Sequence, residues 1–460
     1  MTTERQHRTP SHPFGVAFTA PLVLASVLNP INSSLIATAM VGIGVDFHRG
    51  PADTAVLISV LYLCSAVAQP TMGKLGPLFG ERRVMIGGIV LVLIAGVIGT
   101  AGWSFGALVA SRALLGIGTS AAYPMAMSLI RRRADATQSG VPSRILGIFS
   151  ITAQVIAMVG LPIGGVLTGV FGWRAVFFIN VPAASIALVL VAIGVPKDDV
   201  SIPSDLRRTL AAVDPLGIAL FASAVVAALE FLRSPSVQSL RLGAIALALT
   251  AALVVWERRF ATPLIDVRML AANRPLVRTY LRQALAALGM YTTMYGVSQW
   301  MEQSAGYSPT RVGVLLLPMS AVSIVVAAIS SRRGAVRVPL LATGAAFGAA
   351  GLVMLLLTHD APLWSLLAMS LLIGLANGLN SFANQAALFM QSPADQVGVA
   401  SGLYRTFAYI GAITSASLIG AAFGDHATDA GFHVVGWATV GIGAAVALLT
   451  VTDRALPRHA

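Results

Sequence analysis

The sequence predicts an all-α membrane protein of fourteen transmembrane helices, arranged as two pseudo-symmetric six-helix bundles with an inserted helix pair. Three observations predict it. The first is composition. The 460 residues are 56% hydrophobic and 10% charged, with a mean hydropathy of +0.81, whereas a soluble chain is about 25% charged. So few charges cannot cover a water-facing surface, which argues against a soluble enzyme, a disordered chain and a disulfide scaffold. The single cysteine, Cys64, leaves no intrachain disulfide. The second is a series of apolar segments near the ~20 residues that cross a hydrocarbon core. The third is the placement of the basic residues between them.

The segments fall at about 15–40, 54–72, 84–101, 104–130, 145–171, 175–195, 214–232, 241–256, 276–300, 311–330, 338–357, 362–390, 397–423 and 433–452. Val84 to Ala101 carries no charge, and 241–256 is the shortest. A polar tail, residues 1–13, precedes the first segment. That segment is longer than the apolar core of a secretory signal, so it is expected to be retained as a span.

With the N-terminus placed inside, the cytoplasmic segments hold 23 Lys and Arg, among them Lys74, Arg82, Arg83, Arg131 to Arg133, Arg332, Arg333 and Arg337, and the outer segments hold 5. One missed or added span would reverse the sign of every later loop, so this bias supports the count and places both termini in the cytoplasm. The net charge of +12 then reads as a topology signal with anionic lipid as a secondary partner, and not as a nucleic-acid surface.

An internal echo divides the chain. Gly116-Ile117-Gly118 in the fourth segment matches Gly374 to Gly378 in the twelfth, and Arg82-Arg83 after the second matches Arg332-Arg333 after the tenth. The expected organisation is a tail at 1–13, a six-helix bundle at 14–196, a linker at 197–213, an inserted pair at 214–256, a linker at 257–275, a second bundle at 276–453 and a tail at 454–460.

The loops carry a resemblance. Gly73-Lys74-Leu75-Gly76-Pro77-Leu78-Phe79-Gly80-Glu81-Arg82-Arg83 resembles the loop between helices 2 and 3 of the major facilitator superfamily. Gly172 to Pro182, Glu257-Arg258-Arg259 with Pro263 to Arg268, and Gly306-Tyr307-Ser308-Pro309 with Gly313 and Leu317-Pro318 are similar to its fourteen-span drug:proton antiporter branch, of the multidrug efflux type. Gly160-Leu161-Pro162-Ile163-Gly164-Gly165 resembles the helix 5 antiporter motif with its proline displaced by one. The chain departs at Pro77, where the loop acid is usual, at Asn29, where helix 1 usually carries an Asp, and at Leu115, where a Gln is usual. The resemblance implies the major facilitator fold, with Gly73, Lys74, Gly80, Arg82, Arg83, Gly160, Pro162, Gly164 and Gly165 as conformational elements.

Charge inside a span is costly and is read as functional by default. Arg112 lies on one face with Gly116, Thr119 and Tyr123. The resemblance implies proton coupling or substrate contact, and the alternative is a structural bond to carbonyls. Arg405 either lines a cavity or snorkels to the cytoplasmic face. Glu230 and Glu302, near outer helix ends, are proton-binding candidates or plain interfacial acids. Amides must face another helix or water, so the stripes Asn29, Asn32 and Ser33; Tyr62, Ser65 and Gln69; Gln154; Tyr291, Tyr295 and Gln299; and Asn377, Asn380 and Asn384 suggest a polar cavity between helices.

No Gly-rich phosphate loop, metal-ligand spacing or nucleophile–base pair appears, so neither ATP drive, a metal nor a cofactor is expected. The reading is a monomeric secondary transporter of the cell membrane. It would export a small organic molecule by alternating access, with proton antiport as the expectation the resemblance carries. An uncoupled facilitator is the rival that Asn29 and Pro77 motivate. A membrane-embedded enzyme or channel is the more distant one.

Overall fold

The computed structural model describes residues 14–49, 51–54, 56–138, 140–198, 212–233, 239–307, 309–424 and 426–457. Most of the linker at 197–213 lies outside them, as do the side chains of Gln154 and Pro162. Among the described residues the structure is helical, with no strand.

The rods in chain order are α1 (Val16–Asp46), α2 (Val56–Phe79), α3 (Glu81–Ala101), α4 (Phe105–Ala136), α5 (Ser143–Phe171), α6 (Ala175–Gly194), α7 (Pro215–Arg233), α8 (Leu240–Arg259), α9 (Arg274–Gln303), α10 (Pro309–Arg333), α11 (Arg337–Leu356), α12 (Leu363–Gln391), α13 (Val397–Phe423) and α14 (Asp429–Val451). Rod α4 is two helices, Phe105–Thr119 and Ala122–Ala136, and α6 is stepped at Ile179. Among the described residues, eleven candidate spans are long and apolar enough to cross a membrane. On that criterion α9 falls short of the predicted fourteen because Tyr, Thr and Gln dilute its apolar stretch, and α5 and α7 contribute the shorter described apolar stretches Ser143–Ala153 and Pro215–Ala228.

Local signals start several rods. Ser104, Asn273 and Thr428 accept the backbone N–H three residues on, at 3.1, 3.2 and 3.2 Å, capping α4, α9 and α14. Prolines sit inside α1 (Pro21, Pro30), α2 (Pro70, Pro77) and α10 (Pro318). Such residues are tolerated in lipid-embedded helices when neighbours satisfy the freed carbonyls.

Rods α1–α6 and α9–α14 pair in the same pattern: α1 on α5 as α9 on α13, α2 on α4 as α10 on α12, and α3 on α6 as α11 on α14. Small residues permit the closest crossings. A Cβ on Gly88 would come within 2.5 Å of the Gly118 carbonyl, and one on Gly344 within 2.7 Å of the Gly443 carbonyl. The pair α7–α8 lies against α2 and α13 through Phe221, Val225 and Leu253. Asp214 ties it down. Its carboxylate accepts from Gly217 N at 2.9 Å, Trp256 Nε1 at 2.8 Å and Leu264 N at 3.1 Å. Large apolar side chains, including Val97, Ile193, Leu247 and Leu356, face outward, which only a hydrocarbon solvent favours.

The two halves meet unevenly. One end of the bundle carries Lys74, Arg82, Arg83, Arg131 to Arg133 and Arg332, Arg333 and Arg337, and is called the basic end below. The contacts between halves run through α2–α13, α5–α10 and the second helix of α4 with α13. Towards the basic end a Cβ on Gly73 would overlap the Gly398 backbone, one on Gly402 would come within 2.5 Å of Gln69 and Pro70, and one on Gly147 would overlap Ser331. At the opposite end, bonds run within each half. There Asp46 bonds Trp173 within the first half, and Asp429 bonds Trp300 within the second.

Candidate functional site

A cavity of about 220 Å³ lies between the halves at mid-depth, with Tyr123, Phe149, Tyr291, Asn377, Asn380 and Arg405 in its wall. That is room for about seven waters. Among the described residues, Arg405 is its one charged lining residue and no carboxylate lines it. The Arg405 guanidinium carbon sits 4.2 Å from the centroid of the Tyr123 ring, a cation–π contact. Tyr123 is itself held edge-on by Phe149, with centroids 6.5 Å apart. Arg405 Nε and Asn380 Oδ1 are buried without a hydrogen-bond partner. Ser150 of α5 and Ser381 of α12 share a hydrogen bond across the halves beside the cavity.

A second polar group bridges the halves. Tyr409 of α13 donates to Asn29 Oδ1 at 3.0 Å, and Gln69 Nε2 donates to the same phenol oxygen at 3.1 Å. The Asn29 amide donates in turn to Thr119 Oγ1 at 2.8 Å and Ser65 Oγ at 3.3 Å. Ser33 donates to the Asn29 carbonyl at 3.1 Å. The helix 1 position where the resembling family usually has an acid is therefore filled by an amide that both gives and takes hydrogen bonds.

Of the residues read from sequence as cavity lining, Tyr123, Tyr291, Asn377, Asn380 and Arg405 are brought together at the cavity. Tyr295 stacks on Tyr291, with centroids 5.9 Å apart, and is half exposed. Gln299 is also partly exposed. Three others sit elsewhere. Asn32 is buried against Asn180, with amide bonds of 2.6 and 3.0 Å, fastening α1 to α6. Asn384 accepts from Arg282 Nε at 3.2 Å and donates to Thr279 O and Gln283 Oε1, inside the second half. Arg112 is fully buried in the first half. Its Nε donates to Leu57 O at 2.9 Å and its Nη1 to Asn32 O at 3.3 Å. The proton-binding candidates Glu230 and Glu302 are exposed and do not line the cavity.

The conformational residues divide as well. A Cβ on Gly160 would meet Ser34, and one on Gly164 would meet Thr38 at 2.7 Å, so these two set the α1–α5 crossing; beside Gly165 nothing lies within 4 Å. Arg82 and Arg83 offer their backbone N–H groups to Asp198 at 3.0 and 2.9 Å, around Gly80 at φ +97°. Lys74 donates to Thr262 O in the linker.

Sequence reasoning missed two groups. Glu81 is buried, accepting from Arg132 Nη1 at 2.5 Å and Ser128 at 3.0 Å. The loop thus has a buried acid, four residues after the position that Pro77 occupies. Tyr409 lies four residues after Arg405, on the same helix face, and that spacing was the available signal.

The profile of the Major Facilitator Superfamily matches residues 22–416 and 279–459. The chain belongs to this superfamily. It is a transporter, not an enzyme, and a multi-pass membrane protein. It is 33% identical over 449 residues to the uncharacterized MFS-type transporter YwoD of Bacillus subtilis, covering 96% of this chain and 98% of that one. It is 27% identical to the multidrug efflux pump LfrA of Mycolicibacterium smegmatis, covering 88% of this chain and 80% of the relative. Among solved structures, that of the human organic anion transporter MFSD10 matches with a TM-score of 0.65 and 15% identity, over 94% of this chain and 99% of the other. At that identity the likeness concerns the fold.

Proposed function

We propose that this transporter exports small organic molecules across the cell membrane by alternating access, with proton antiport as the drive. The observation that carries the reading is the mid-depth cavity between two halves that pack backbone to backbone at the basic end. In this reading the fourteen rods all span, both termini and the basic end face the cytoplasm, and the conformation is outward-facing. The six-helix bundles at 14–196 and 276–453 rock about the cavity, the pair at 214–256 flanks them, and each chain acts as a monomer with its own cavity. The relationship to a multidrug efflux pump at 27% identity supports export of drug-like or metabolite-like compounds.

The second reading is an uncoupled facilitator. It is favoured by one observation: the cavity wall holds no carboxylate, and Glu230 and Glu302 lie away from it. Proteoliposomes carrying the purified protein separate the two. Coupled export gives solute accumulation against its gradient when a pH gradient is imposed, and collapse when an ionophore removes it. Flux that only equalises concentrations, whatever the pH gradient, rejects proton antiport.

A further inference from the structure

We propose that the central cavity selects organic anions, and that Arg405 receives a carboxylate or similar acidic head group of the substrate. The inference rests on the transport reading above and names the substrate class of that site. The warrant is the electrostatic imbalance of the cavity. A guanidinium inside a membrane protein is normally matched by an acid or by carbonyls. Arg405 has neither: no carboxylate lies in ion-pair contact with it among the described residues, and its Nε is buried without a partner. Other buried arginines are matched: Arg112 by two carbonyls and Arg282 by Asp453. Arg405 therefore adds uncompensated positive potential to the region between the halves.

The geometry fits a planar anion. The Arg405 guanidinium carbon lies over the Tyr123 ring and its Nε is buried without a partner, and an Arg edge matches a carboxylate with two parallel hydrogen bonds. Met290, Ala286 and Ala287 supply an apolar wall for the rest of the molecule. Asn380 Oδ1, buried and unpartnered, accepts a hydroxyl or N–H of the substrate. A lipophilic cation would have to enter beside Arg405 with no acid to receive it, and like charge in a site of low dielectric is strongly disfavoured.

The test uses the full-length protein in lipid nanodiscs and three probes with one apolar body: naphthalene-acetate, naphthalene-acetamide and naphthylmethylammonium. Wild-type protein is expected to bind the carboxylate at least about tenfold tighter than the ammonium. In Arg405→Gln that ratio should fall to about threefold or less, with Arg405→Lys keeping part of it. A wild-type preference for the ammonium, equal binding of all three, or binding of none overturns the proposal. The wild-type comparison stands even if a variant fails to fold. Flux of the same probes in proteoliposomes is read separately. A carboxylate that binds with the stated preference but is not carried leaves the substrate class standing and rejects the transport reading.

Discussion

Tyr409 donates its phenolic proton to Asn29 across the two halves of the transporter, at 3.0 Å. The same oxygen accepts from Gln69, so one phenol joins α13 to both α1 and α2. Interhelical bonds in membranes average ~0.6 kcal/mol, and losing two costs about 1.2 kcal/mol. Tyr409→Phe keeps the ring against Tyr62, where the centroids are 5.5 Å apart, and removes both bonds. The population open at the basic end should rise by about 5–10-fold. Labelling rates of cysteines placed near Gly73 and Gly398 measure this, and unchanged labelling rejects the bridge as a closing element.

Gly402→Ala should hold the basic end apart, because its Cβ would come within 2.5 Å of the Gln69 and Pro70 backbones. Backbone atoms cannot rotate away as a flexible side chain can. Transport should fall roughly tenfold or more, with overexposure of the basic end, since overpacking costs ~1–3 kcal/mol. Gly165→Ala and Gly169→Ala meet nothing within 4 Å and should transport like the wild type. Equal behaviour of all three variants would remove the distinction.

Arg112 bonds two carbonyls on two other helices, Leu57 O and Asn32 O. Arg112→Gln removes both charge-assisted bonds, at ~1.5–3 kcal/mol each. Arg112→Lys should rescue little, because a point ammonium lacks the guanidinium's fixed fork. Thermal unfolding in detergent is the measurement. An Arg112→Gln protein of normal stability that has lost proton-linked transport would assign the residue to coupling instead of packing.

Arg282 and Asp453 form a fully buried ion pair at 3.0 Å. Asp453→Asn leaves the guanidinium uncompensated, and breaking such a pair costs about 3–5 kcal/mol. We expect a lower unfolding temperature and poor recovery of folded protein. Replacing both residues with apolar side chains of similar volume should recover much of the loss, because the desolvation cost of the charges disappears with them.

His359, in the loop between α11 and α12, contacts Asp429 Oδ2 through Nδ1 at 2.8 Å. That hydrogen bond, with the charges of Asp360 and Asp429, raises its pKa above the ordinary histidine value. A raised histidine pKa stabilises the folded state fully below the unfolded value, near 6.5, and the effect is lost as pH rises through the folded value. The unfolding-temperature gap between wild type and His359→Ala should be largest below pH 6.5 and should narrow above it. A gap independent of pH rejects the assignment.

Much of the fold was legible in the sequence because lipid imposes a one-dimensional rule. A span must be apolar and long enough, and basic residues must fall on one side. The charge-free stretch that became α3 was visible on those terms, whereas the step of α6 at Ile179 was not. The least apolar rods were not equally secure: α9 crosses the described structure as a 30-residue helix yet falls outside the eleven candidate spans. Its Thr, Tyr and Gln are tolerated because neighbouring helices and the cavity receive them, which hydropathy cannot register.

At the site the division is sharper. Residue type and spacing by themselves determined which side chains had to avoid lipid: Arg112, Arg405 and the amides of α1 and α12 all lie inside. Tertiary structure alone decided what each one met. Asn32 and Asn384 have the same side chain as Asn380, yet the first is spent on Asn180 and the second on Arg282, while Asn380 keeps a bare oxygen beside the cavity. Partners separated by 148 and 102 positions meet only because the crossing of whole rods brings them together. An apolar pattern encodes that a helix has an inward face; which neighbour that face meets depends on how fourteen rods pack at once.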